Sequence, residues 1–254
     1  MNCSICICTY NGNLYLHEQI MSILSQISHD DEVIVIDDCS SDNTVDLILN
    51  YQDNRINVIV NEFNLGPVKS FEKAITQAKN GLIFLSDQDD IWKEGRYQIM
   101  KSTLLESDAF LLSSNSIFIG KNNESINFKI DGVFANDSKN YIGNIIDIFI
   151  GKTNYYGCCM IFKNQLIDII LPIPSFVESH DLWMAFSANL LKRNLHLEKP
   201  TLIRTIHGGN LSLMRRNIYS KIRTRFLFLV YIFILFARIL KYYNKQKLYL
   251  VPLS

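Results

Sequence analysis

Three carboxylates lie within four residues directly after an apolar run of this chain. Asp87, Asp89 and Asp90 follow Leu82–Leu85, whose length and composition predict a short buried strand. Acidic side chains at the carboxyl end of such a strand lie where open α/β sheets bind ligands. Because adjacent carboxylates repel each other, they favour a hard divalent cation between them, and that cation would also bind a diphosphate. The alternative is a solvated acidic turn in which Asp90 caps a helix beginning near Lys93.

Basic and acidic residues are divided unequally along the chain. The 254 residues carry 25 basic and 25 acidic side chains, but from Thr201 onward there are ten Lys or Arg residues and no Asp or Glu. A basic tail of this kind indicates an anionic partner, either a membrane surface or a nucleic acid. No DNA- or RNA-binding motif accompanies the charge, so we expect a membrane surface and no nucleic acid.

The amino terminus and the cysteines indicate a cytoplasmic protein. The first residues lack a basic patch followed by a long apolar segment, so no secretory signal is expected. Six cysteines are present, and their spacing matches neither a disulfide framework nor a zinc site. Cys6 and Cys8 alternate on one predicted strand, and Cys158 and Cys159 are adjacent in another. We predict buried free thiols in a reducing compartment.

Strands and helices alternate over the first ninety residues. Short apolar runs predict strands at 4–8, 32–36, 56–60 and 82–85. Apolar residues at helical spacing predict helices beginning near 16, 44 and 67 in the intervening segments. This order predicts a parallel, right-handed, doubly wound α/β sheet. Further along we expect helices at 93–106 and 177–191, strands at 109–113, 116–119, 155–162 and 196–206, and a polar loop at 121–139.

Polar clusters follow these strands, at 9–11, 37–38, 64–66 and 87–89. Since the carboxyl ends of parallel strands meet at one edge of a sheet, we expect the clusters to converge there. Their side chains suit a nucleotide, because Tyr10 can stack on a base and Asp38 can accept a hydrogen bond from a ring N–H. The chain has neither a G-x-G-x-x-G nor a P-loop motif, which argues against classical dinucleotide-binding and P-loop enzymes.

The ordered set of motifs resembles family 2 glycosyltransferases of the GT-A fold, in particular a bacterial rhamnosyltransferase-like branch. The resembling segments are 7–12, 22–26, 36–44, 64–71, 84–92, 157–160, 180–183 and 207–210. Together they span residues 4 to 210, and several motifs in order are far more specific than one D-x-D. The resemblance implies a GT-A domain at 1–211, with a nucleotide-binding half at about 1–92 and an acceptor half at about 93–211, followed by a helical tail at 212–254.

The resemblance also assigns roles to individual residues. The nucleotide-sugar site that it implies consists of Thr9, Tyr10, Asn11, Asp38, Lys69 and Asp87. Thr9, Tyr10 and Asp38 would hold a pyrimidine base, with Asp38 at the ring N–H, and Asp87 would contact the ribose or the sugar. Lys69 is a further candidate for a donor contact.

The metal and the general base are implied in the same way. Asp89 and His207 would bind the Mg²⁺ or Mn²⁺ that bridges the two phosphates of the donor. Asp181 lies where inverting members keep the base that deprotonates the acceptor hydroxyl. The family usually has an arginine two residues before the histidine, whereas this chain has Thr205 there and Arg204 one residue earlier, so the role of Arg204 stays open.

Each of these residues also has a purely structural interpretation. Asp181 begins an amphipathic helix, where an acidic side chain is favoured by the helix dipole. Asp37 or Asp38 can cap the helix that follows Ser41. His207 can be a hydrogen-bonded loop histidine.

The tail contains twelve uninterrupted apolar residues at 226–237, with basic residues on both sides. A spanning helix needs about 20 apolar residues, so the run predicts an interfacial helix whose basic flanks reach the lipid headgroups. The alternative is a buried helix that packs on the domain or on a partner chain.

Together these features predict an inverting, metal-dependent transfer of sugar from a nucleotide-diphosphate donor, dTDP-rhamnose or UDP-hexose. The expected acceptor is a saccharide, lipid-linked, in the synthesis of a bacterial surface polysaccharide such as O-antigen or capsule. The enzyme would be peripheral on the inner face of the cytoplasmic membrane. The alternatives are a polyprenyl-phosphate sugar transferase and a non-catalytic nucleotide-sugar-binding protein.

Overall fold

A computed structural model of the chain describes residues 1–120, 124, 126, 132–153, 155–206 and 218–249. In these residues the strands are β1 (Cys3–Thr9), β2 (Glu32–Asp37), β3 (Ile56–Val60), β4 (Leu82–Asp87), β5 (Asp90–Trp92), β6 (Leu111–Ile119), β7 (Met160–Lys163) and β8 (Asn194–Thr205). The α-helices are α1 (Leu16–Leu24), α2 (Thr44–Leu49), α3 (Pro67–Gln77), α4 (Arg96–Leu105), α5 (Tyr141–Ile150), α6 (Ile167–Ile170), α7 (His180–Leu190) and α8 (Ile218–Tyr249).

The strands form one mixed sheet in the order β3-β2-β1-β4-β7-β6-β8-β5. The first four are parallel, with β1 between β2 and β4. In this register Thr9 at the end of β1 lies opposite Asp37, and Cys8 lies opposite Asp87. The carboxyl ends of β1, β2 and β4 therefore meet at one edge of the sheet.

Side chains that alternate along the parallel strands build one core on each face of the sheet. Ile5 and Ile7 of β1 belong to the core beneath α1 and α4. Cys6 belongs to the opposite core, which contains apolar residues of α3, α5, α7 and α8. The sheet is thus covered by helices on both faces, which explains why its strands are near-continuous apolar runs.

Helix α8 packs on the domain with one face and exposes the other. Tyr231 and Leu235 are buried in the second core, and the Tyr231 ring lies 5.3 Å from the Trp183 ring of α7, measured between centroids. On the opposite side of the helix Phe233 is 76% exposed and Phe236 is 59% exposed. Helix α8 is therefore apolar on both faces, and only one face is covered by the domain. The other face exposes apolar side chains to water, which is unfavourable.

Polar contacts hold α8 against the domain near both of its ends. Thr224 Oγ1 donates to Glu178 Oε2 at 2.9 Å, and Lys245 Nζ lies 3.7 Å from Asp168 Oδ2. These contacts are 21 residues apart, about 32 Å along the helix axis. In the described part of the chain, only the helix within Ile222–Lys247 is long and apolar enough to cross a membrane.

The predicted alternation of strands and helices over the first ninety residues is confirmed, and the predicted α/β fold with it. The two strands expected at 109–113 and 116–119 are one strand, β6, and 196–206 also contains one strand, β8. The helix expected from Lys93 begins at Arg96, because Asp90–Trp92 forms β5 and pairs with β8. The interpretation of Asp90 as a cap of that helix is therefore wrong.

The middle of the chain differs most from the sequence prediction. Helix α5 was not predicted, although its apolar composition is visible in the sequence. The strand expected at 155–162 begins only at Met160, and Gly157–Cys159 form a short 3₁₀ turn. Cys158 and Cys159 thus precede the strand, where both are buried. All six cysteines lie in the described part of the chain and are free, as predicted, although Cys39 is exposed.

Candidate active site

The loops after β1 and β4 are joined by a side-chain amide that acts like a stretch of backbone. Gln88 Oε1 accepts a hydrogen bond from Tyr10 N at 2.8 Å, and Gln88 Nε2 donates to Tyr10 O at 3.1 Å. A Cβ atom at Gly12 would lie 2.4 Å from Gln88 Oε1, so only glycine leaves room for this contact. The first and fourth predicted clusters are therefore in direct contact, although they are 78 residues apart.

Asn11 joins the β1 loop to the loop after β2. Its backbone N–H donates to Ser40 Oγ at 2.9 Å, and its Oδ1 accepts from Ser41 N at 2.9 Å. Asn11 has a positive φ of 49°, a conformation that asparagine tolerates better than most residues. These bonds occupy both its backbone N–H and its side-chain oxygen, so Asn11 shapes the rim of the site.

Asp38 holds the loop before α3 against the end of β2. Its Oδ1 accepts from Asn61 Nδ2 and from Leu65 N, and its Oδ2 accepts from Gly66 N, all at 2.8 Å. Only 4% of Asp38 is exposed. Burial raises the pKa of this carboxyl, but the hydrogen bonds outweigh it and bring the pKa below its ordinary value. Gly66, with a φ of 80°, supplies a turn that other residues adopt only under strain.

The neighbouring carboxylate, Asp37, tightens its own turn. It accepts hydrogen bonds from Thr9 Oγ1 at 3.0 Å and from Ser40 N at 2.8 Å. At the start of α2 it is instead Asp42 that accepts a backbone hydrogen bond, from Thr44 N to Oδ1 at 3.1 Å. The alternative that Asp37 or Asp38 caps this helix is therefore wrong.

The four clusters open onto one cleft of about 940 Å³. One wall consists of the loops after β1, β2 and β4, and the other is formed by α5, α7 and α8 with the Tyr155–Gly157 segment. The predicted site residues that line the cleft are Thr9, Tyr10, Asp38, Asp87, Asp89 and Asp181. Tyr10 is 49% exposed, which leaves its ring accessible from the cleft. Carboxylates from distant parts of the chain thus face a common space.

Arg204 is the cation that the sequence left without a role. Its Nη2 lies 3.7 Å from Asp87 Oδ2, and its Nε lies 3.4 Å from Asp90 Oδ2. The guanidinium also lies over the Tyr156 ring, 4.4 Å from the centroid. Burial raises the pKa of both Asp87 and Asp90, and the charge of Arg204 opposes that shift. Arg204 therefore neutralises part of the acidic segment from within the protein.

The ligand atoms of Asp87, Asp90 and Cys158 lie within 4.8 Å of one another. Burial raises the pKa of the Cys158 thiol well above its ordinary value. Asp87 and Asp89 both line the cleft and offer the hard oxygen donors that Mg²⁺ and Mn²⁺ prefer. The carboxylates at this position fit a divalent metal. The predicted ligand His207 lies outside the described residues.

Asp181 lies in the first turn of α7, which Ser179 caps by accepting from Leu182 N at 3.3 Å. Asp181 Oδ1 accepts from the same Leu182 N at 2.9 Å and from Ser179 Oγ. Both contacts use Oδ1, and the residue lines the cleft. Its structural role at the helix terminus and a role toward a ligand are therefore compatible.

His180 precedes Asp181, is largely buried and also lines the cleft. Its ring lies 4.3 Å from the Phe71 ring, measured between centroids, and Nε2 has no hydrogen-bond partner among the described residues. A Cβ atom at Gly157 would lie 2.8 Å from that nitrogen. The glycine of the 157–160 motif thus allows the loop to approach α7.

Lys69 points to a different part of the structure. Its Nζ donates to Glu72 Oε2 at 2.5 Å and to the carbonyl oxygen of Ile173 at 2.9 Å. It is not among the residues that line the cleft. A donor contact by Lys69 stays a prediction.

Comparison with known proteins identifies the family. Residues 4–170 match the glycosyl transferase family 2 profile, which is more than half of the chain. The chain belongs to glycosyl transferase family 2. The predicted family is therefore confirmed.

Relatives of this family 2 chain act in bacterial glycan synthesis. The UDP-Glc:alpha-D-GlcNAc-diphosphoundecaprenol beta-1,3-glucosyltransferase WfgD of Escherichia coli is 31% identical over 191 residues, which are 75% of this chain and 70% of WfgD. The dTDP-rhamnosyl transferase RfbG of Shigella flexneri is 34% identical over 117 residues, 43% of this chain and 40% of RfbG. The chain thus spans less than half the length of this second relative.

The fold is shared with a solved structure. The crystal structure of Staphylococcus aureus TarS 1–349 in complex with UDP-GlcNAc has a TM-score of 0.69 and 21% identity, covering 91% of this chain and 67% of that chain. At this identity the similarity concerns the fold, and it confirms the predicted GT-A architecture.

Sequence reasoning missed several residues of the site. Gln88 lies inside the acidic motif, but nothing in its type indicates that it pairs with Tyr10. Arg204 was noticed only as a departure from the family pattern. Thr224 and Arg225 of α8 line the cleft as well, and no sequence signal places the tail beside the site.

We predict that Asp38→Asn lowers the free energy of unfolding by about 2–4 kcal/mol at pH 7. The carboxylate accepts hydrogen bonds through both oxygens, whereas an amide has only one oxygen and its NH₂ group would face an N–H donor. The folded pKa of Asp38 is lowered. The stability that the ionised Asp38 carboxylate contributes is therefore fully present above the pKa of an unfolded aspartate, about 3.9. It is lost as the pH falls through the lower pKa of Asp38 in the folded protein. The difference between wild type and variant should narrow in urea unfolding from pH 7 to pH 3.

Asp46→Asn, which changes an exposed carboxylate on α2, is the matched control and should change stability little. A difference between wild type and Asp38→Asn that stays constant over this pH range would contradict the assigned hydrogen bonds.

Proposed function

We propose that the protein is an inverting, divalent-metal-dependent glycosyltransferase that uses a nucleotide-diphosphate sugar, dTDP-rhamnose or UDP-hexose. The acceptor is a lipid-linked saccharide of a bacterial surface polysaccharide. The convergence of Asp38, Asp87, Asp89 and Asp181 on one cleft carries this proposal. The relatives support it, since WfgD is named for transfer from UDP-Glc to a diphosphoundecaprenol-linked sugar and RfbG is named a dTDP-rhamnosyl transferase.

The donor lies against the wall formed by the strand ends. Tyr10 stacks on the base, Asp38 and the backbone of Thr9 fix its polar edge, and Asp87 contacts the ribose or the sugar. Asn11 supports this wall from behind through the bonds to Ser40 and Ser41. Arg204 offsets one negative charge of the Asp87–Asp90 segment from the protein side, so a diphosphate meets less repulsion at this wall.

Asp89 and His207 are the residues that would hold Mg²⁺ or Mn²⁺. When bound, the metal acts as a Lewis acid that neutralises the charge of the leaving diphosphate. The carboxylates of this segment supply only oxygen donors toward the cleft, which is the donor set of these hard cations.

Asp181 acts as the general base. Its carboxylate takes the proton of the acceptor hydroxyl while that oxygen attacks the anomeric carbon and the bond to the diphosphate breaks. A single displacement of this kind inverts the anomeric centre. Because Ser179 Oγ and Leu182 N both donate to Oδ1, the carboxylate is held in place at the cleft.

The chain consists of a catalytic domain at 1–211 and a tail at 212–254, and the tail contains α8. Helix α8 packs on the acceptor half, as the alternative interpretation of the tail proposed, and also exposes an apolar face. We infer that this face lies in the plane of the inner leaflet of the cytoplasmic membrane. Lys241 and Lys247 are exposed beside it, where they favour anionic lipids.

Nucleotide sugars should stabilise the protein only when the donor and the metal are both correct. At a ligand concentration of 100 times Kd, binding adds about 2.7 kcal/mol to the free energy of unfolding. We expect either dTDP-rhamnose or a UDP-hexose, together with Mn²⁺ or Mg²⁺, to raise the melting temperature. In Asp89→Asn the part of this rise that depends on the metal should be lost. Asp30→Asn, which changes an exposed carboxylate, should keep it. An equal shift in EDTA would exclude the metal assignment.

Asp181→Asn should lower kcat by about 10²–10⁴-fold, because the amide cannot accept the proton of the acceptor hydroxyl. Incorporation of radiolabelled sugar from the stabilising donor into lipid-extractable product measures this rate. The thermal shift with donor should be unchanged. Asp168→Asn, whose residue pairs with Lys245 outside the cleft, serves as the control. Full transfer activity in Asp181→Asn would remove it from the mechanism.

Replacement of both Phe233 and Phe236 by Ser should lower the affinity for phosphatidylglycerol-containing vesicles by tenfold or more, on the order of the apolar burial that is lost. Flotation of the protein with vesicles measures the affinity. Leu49→Ser removes an apolar side chain that is 58% exposed on α2, and it should bind as the wild type does. Unchanged flotation of the double variant would refute attachment through α8.

A further inference from the structure

Helix α7 is enclosed on every side over most of its length. All residues from Trp183 to Asn189 are at most 1% exposed, and together they make almost two turns. The helix contacts β6 and β8 of the sheet, and it also contacts α5, α6 and α8. Since the sheet covers one side of α7, α5 and α8 belong to the outer layer that separates α7 from solvent.

Helices α5 and α8 are neighbours in this layer, and each binds α7 through one face. Asn144 Nδ2 of α5 donates to Asn189 Oδ1 of α7 at 3.0 Å. The Phe228 ring of α8 lies 5.2 Å from the Phe186 ring of α7, measured between centroids. The same Phe228 ring lies 6.4 Å from the Phe149 ring of α5. The two helices therefore pack side by side over the same buried helix.

Helix α5 exposes three isoleucines on its outer face. Ile142 is 74% exposed, Ile146 is 52% exposed and Ile150 is 58% exposed. Residues four positions apart are neighbours on a helix surface, so the three form one stripe. Ile142 and Ile146 are each two positions from Asn144, which places them nearly opposite the side that binds α7. The stripe thus points away from the domain.

The exposed face of α8 is arranged in the same way. Phe226 is two positions before the buried Phe228, and Phe233 is two positions after the buried Tyr231, so both lie nearly opposite the covered face. The exposed apolar residues of this face are Ile222, Phe226, Leu229, Phe233, Phe236 and Leu240. Two neighbouring helices thus turn apolar faces outward from one layer. Exposed apolar surface of this extent is typical of an interface with a protein or a membrane.

The charges around these faces favour lipid over a second copy of the chain. Segment 137–152 carries two acidic and two basic residues, and Lys139 and Lys152 are exposed beyond the two ends of α5. From Thr201 onward all charged residues are basic. A two-fold dimer places the same surface of both copies together, so the basic residues of α8 would repel one another. Anionic lipid headgroups would instead neutralise them.

We propose that the exposed face of α5 is a second lipid-contacting surface, which inserts with α8 into the same leaflet. This inference rests on the proposed function and extends membrane contact from one helix to two. A protein attached through one helix can roll about the axis of that helix, whereas a second contact beside it fixes the orientation. Ile150 and Gly151 also line the cleft, so the stripe ends at the cleft. The cleft then opens at the depth of the lipid headgroups.

A tryptophan placed in the stripe tests contact with acyl chains. The full chain carrying Ile146→Trp is bound to phosphatidylglycerol-containing vesicles whose phosphatidylcholine is brominated in its acyl chains, because bromine quenches tryptophan fluorescence on contact. The native Trp92 and Trp183 are at most 3% exposed and give the background. We expect Ile146→Trp to lose the fluorescence that it adds to this background. Leu49→Trp, at an exposed position of α2, is the control and should keep it.

Phe233→Trp reports on α8 in the same vesicles and separates the two proposals. Quenching at both Phe233→Trp and Ile146→Trp supports two contacts with one leaflet. Quenching at Phe233→Trp alone would overturn this inference and leave attachment through α8 intact. Absence of quenching at either position would overturn this inference and also the membrane attachment in the proposed function.

A second measurement uses vesicle flotation. Replacement of both Ile142 and Ile146 by Ser should lower the affinity for phosphatidylglycerol-containing vesicles by about tenfold or more, because apolar burial is lost. The matched control replaces Leu49 and Leu105 by Ser, which are 58% and 41% exposed, and it should bind as the wild type does. Unchanged binding of the Ile142 and Ile146 variant would overturn the inference.

Sedimentation velocity without lipid distinguishes a second copy of the chain as the occupant. We expect the wild type and the variant with Ser at 142 and 146 to sediment alike, which supports a lipid-facing surface. A wild-type dimer that this variant dissociates would assign the stripe to a partner chain and overturn the inference.

Discussion

The parallel alignment of β1, β2 and β4 is the constraint on which the site depends. It brings the ends of three strands to one edge of the sheet, and the loops that leave them are then tied together by side chains. Gln88 pairs with the backbone of Tyr10, Asn11 binds the loop after β2, and Asp38 binds the loop before α3. Most polar residues at this edge of the sheet therefore hold the loops together. Those that remain accessible to solvent face the cleft.

Concentrating acidic groups at one edge requires a compensating charge. Arg204 provides it from β8, because β5 and β8 pair so that Asp90 lies opposite Arg204. The short strand β5 therefore has an electrostatic consequence, since it fixes the orientation of the acidic segment toward a buried guanidinium. Asp89 of the same segment also lines the cleft.

Helix α8 connects the cleft with the surface of the protein. Its buried face completes the core beneath α5 and α7, and its first turns line the cleft. The exposed face is apolar over about the same length of helix. One element thus contributes to the stability of the domain, to one wall of the cleft and to an exposed apolar surface.

The sequence by itself determined the alternation of strands and helices, the family, and the residues 9–11, 37–38 and 87–89 as a converging set. These features depend on local periodicity and on the rule that parallel strands share one edge. The tertiary structure alone decided that Asp38 holds a loop, that Arg204 lies beside Asp87 and Asp90, and that Arg225 lines the cleft. Such pairings join residues far apart in the chain, and neither the spacing nor the type of a residue specifies which distant partner packing will bring to it.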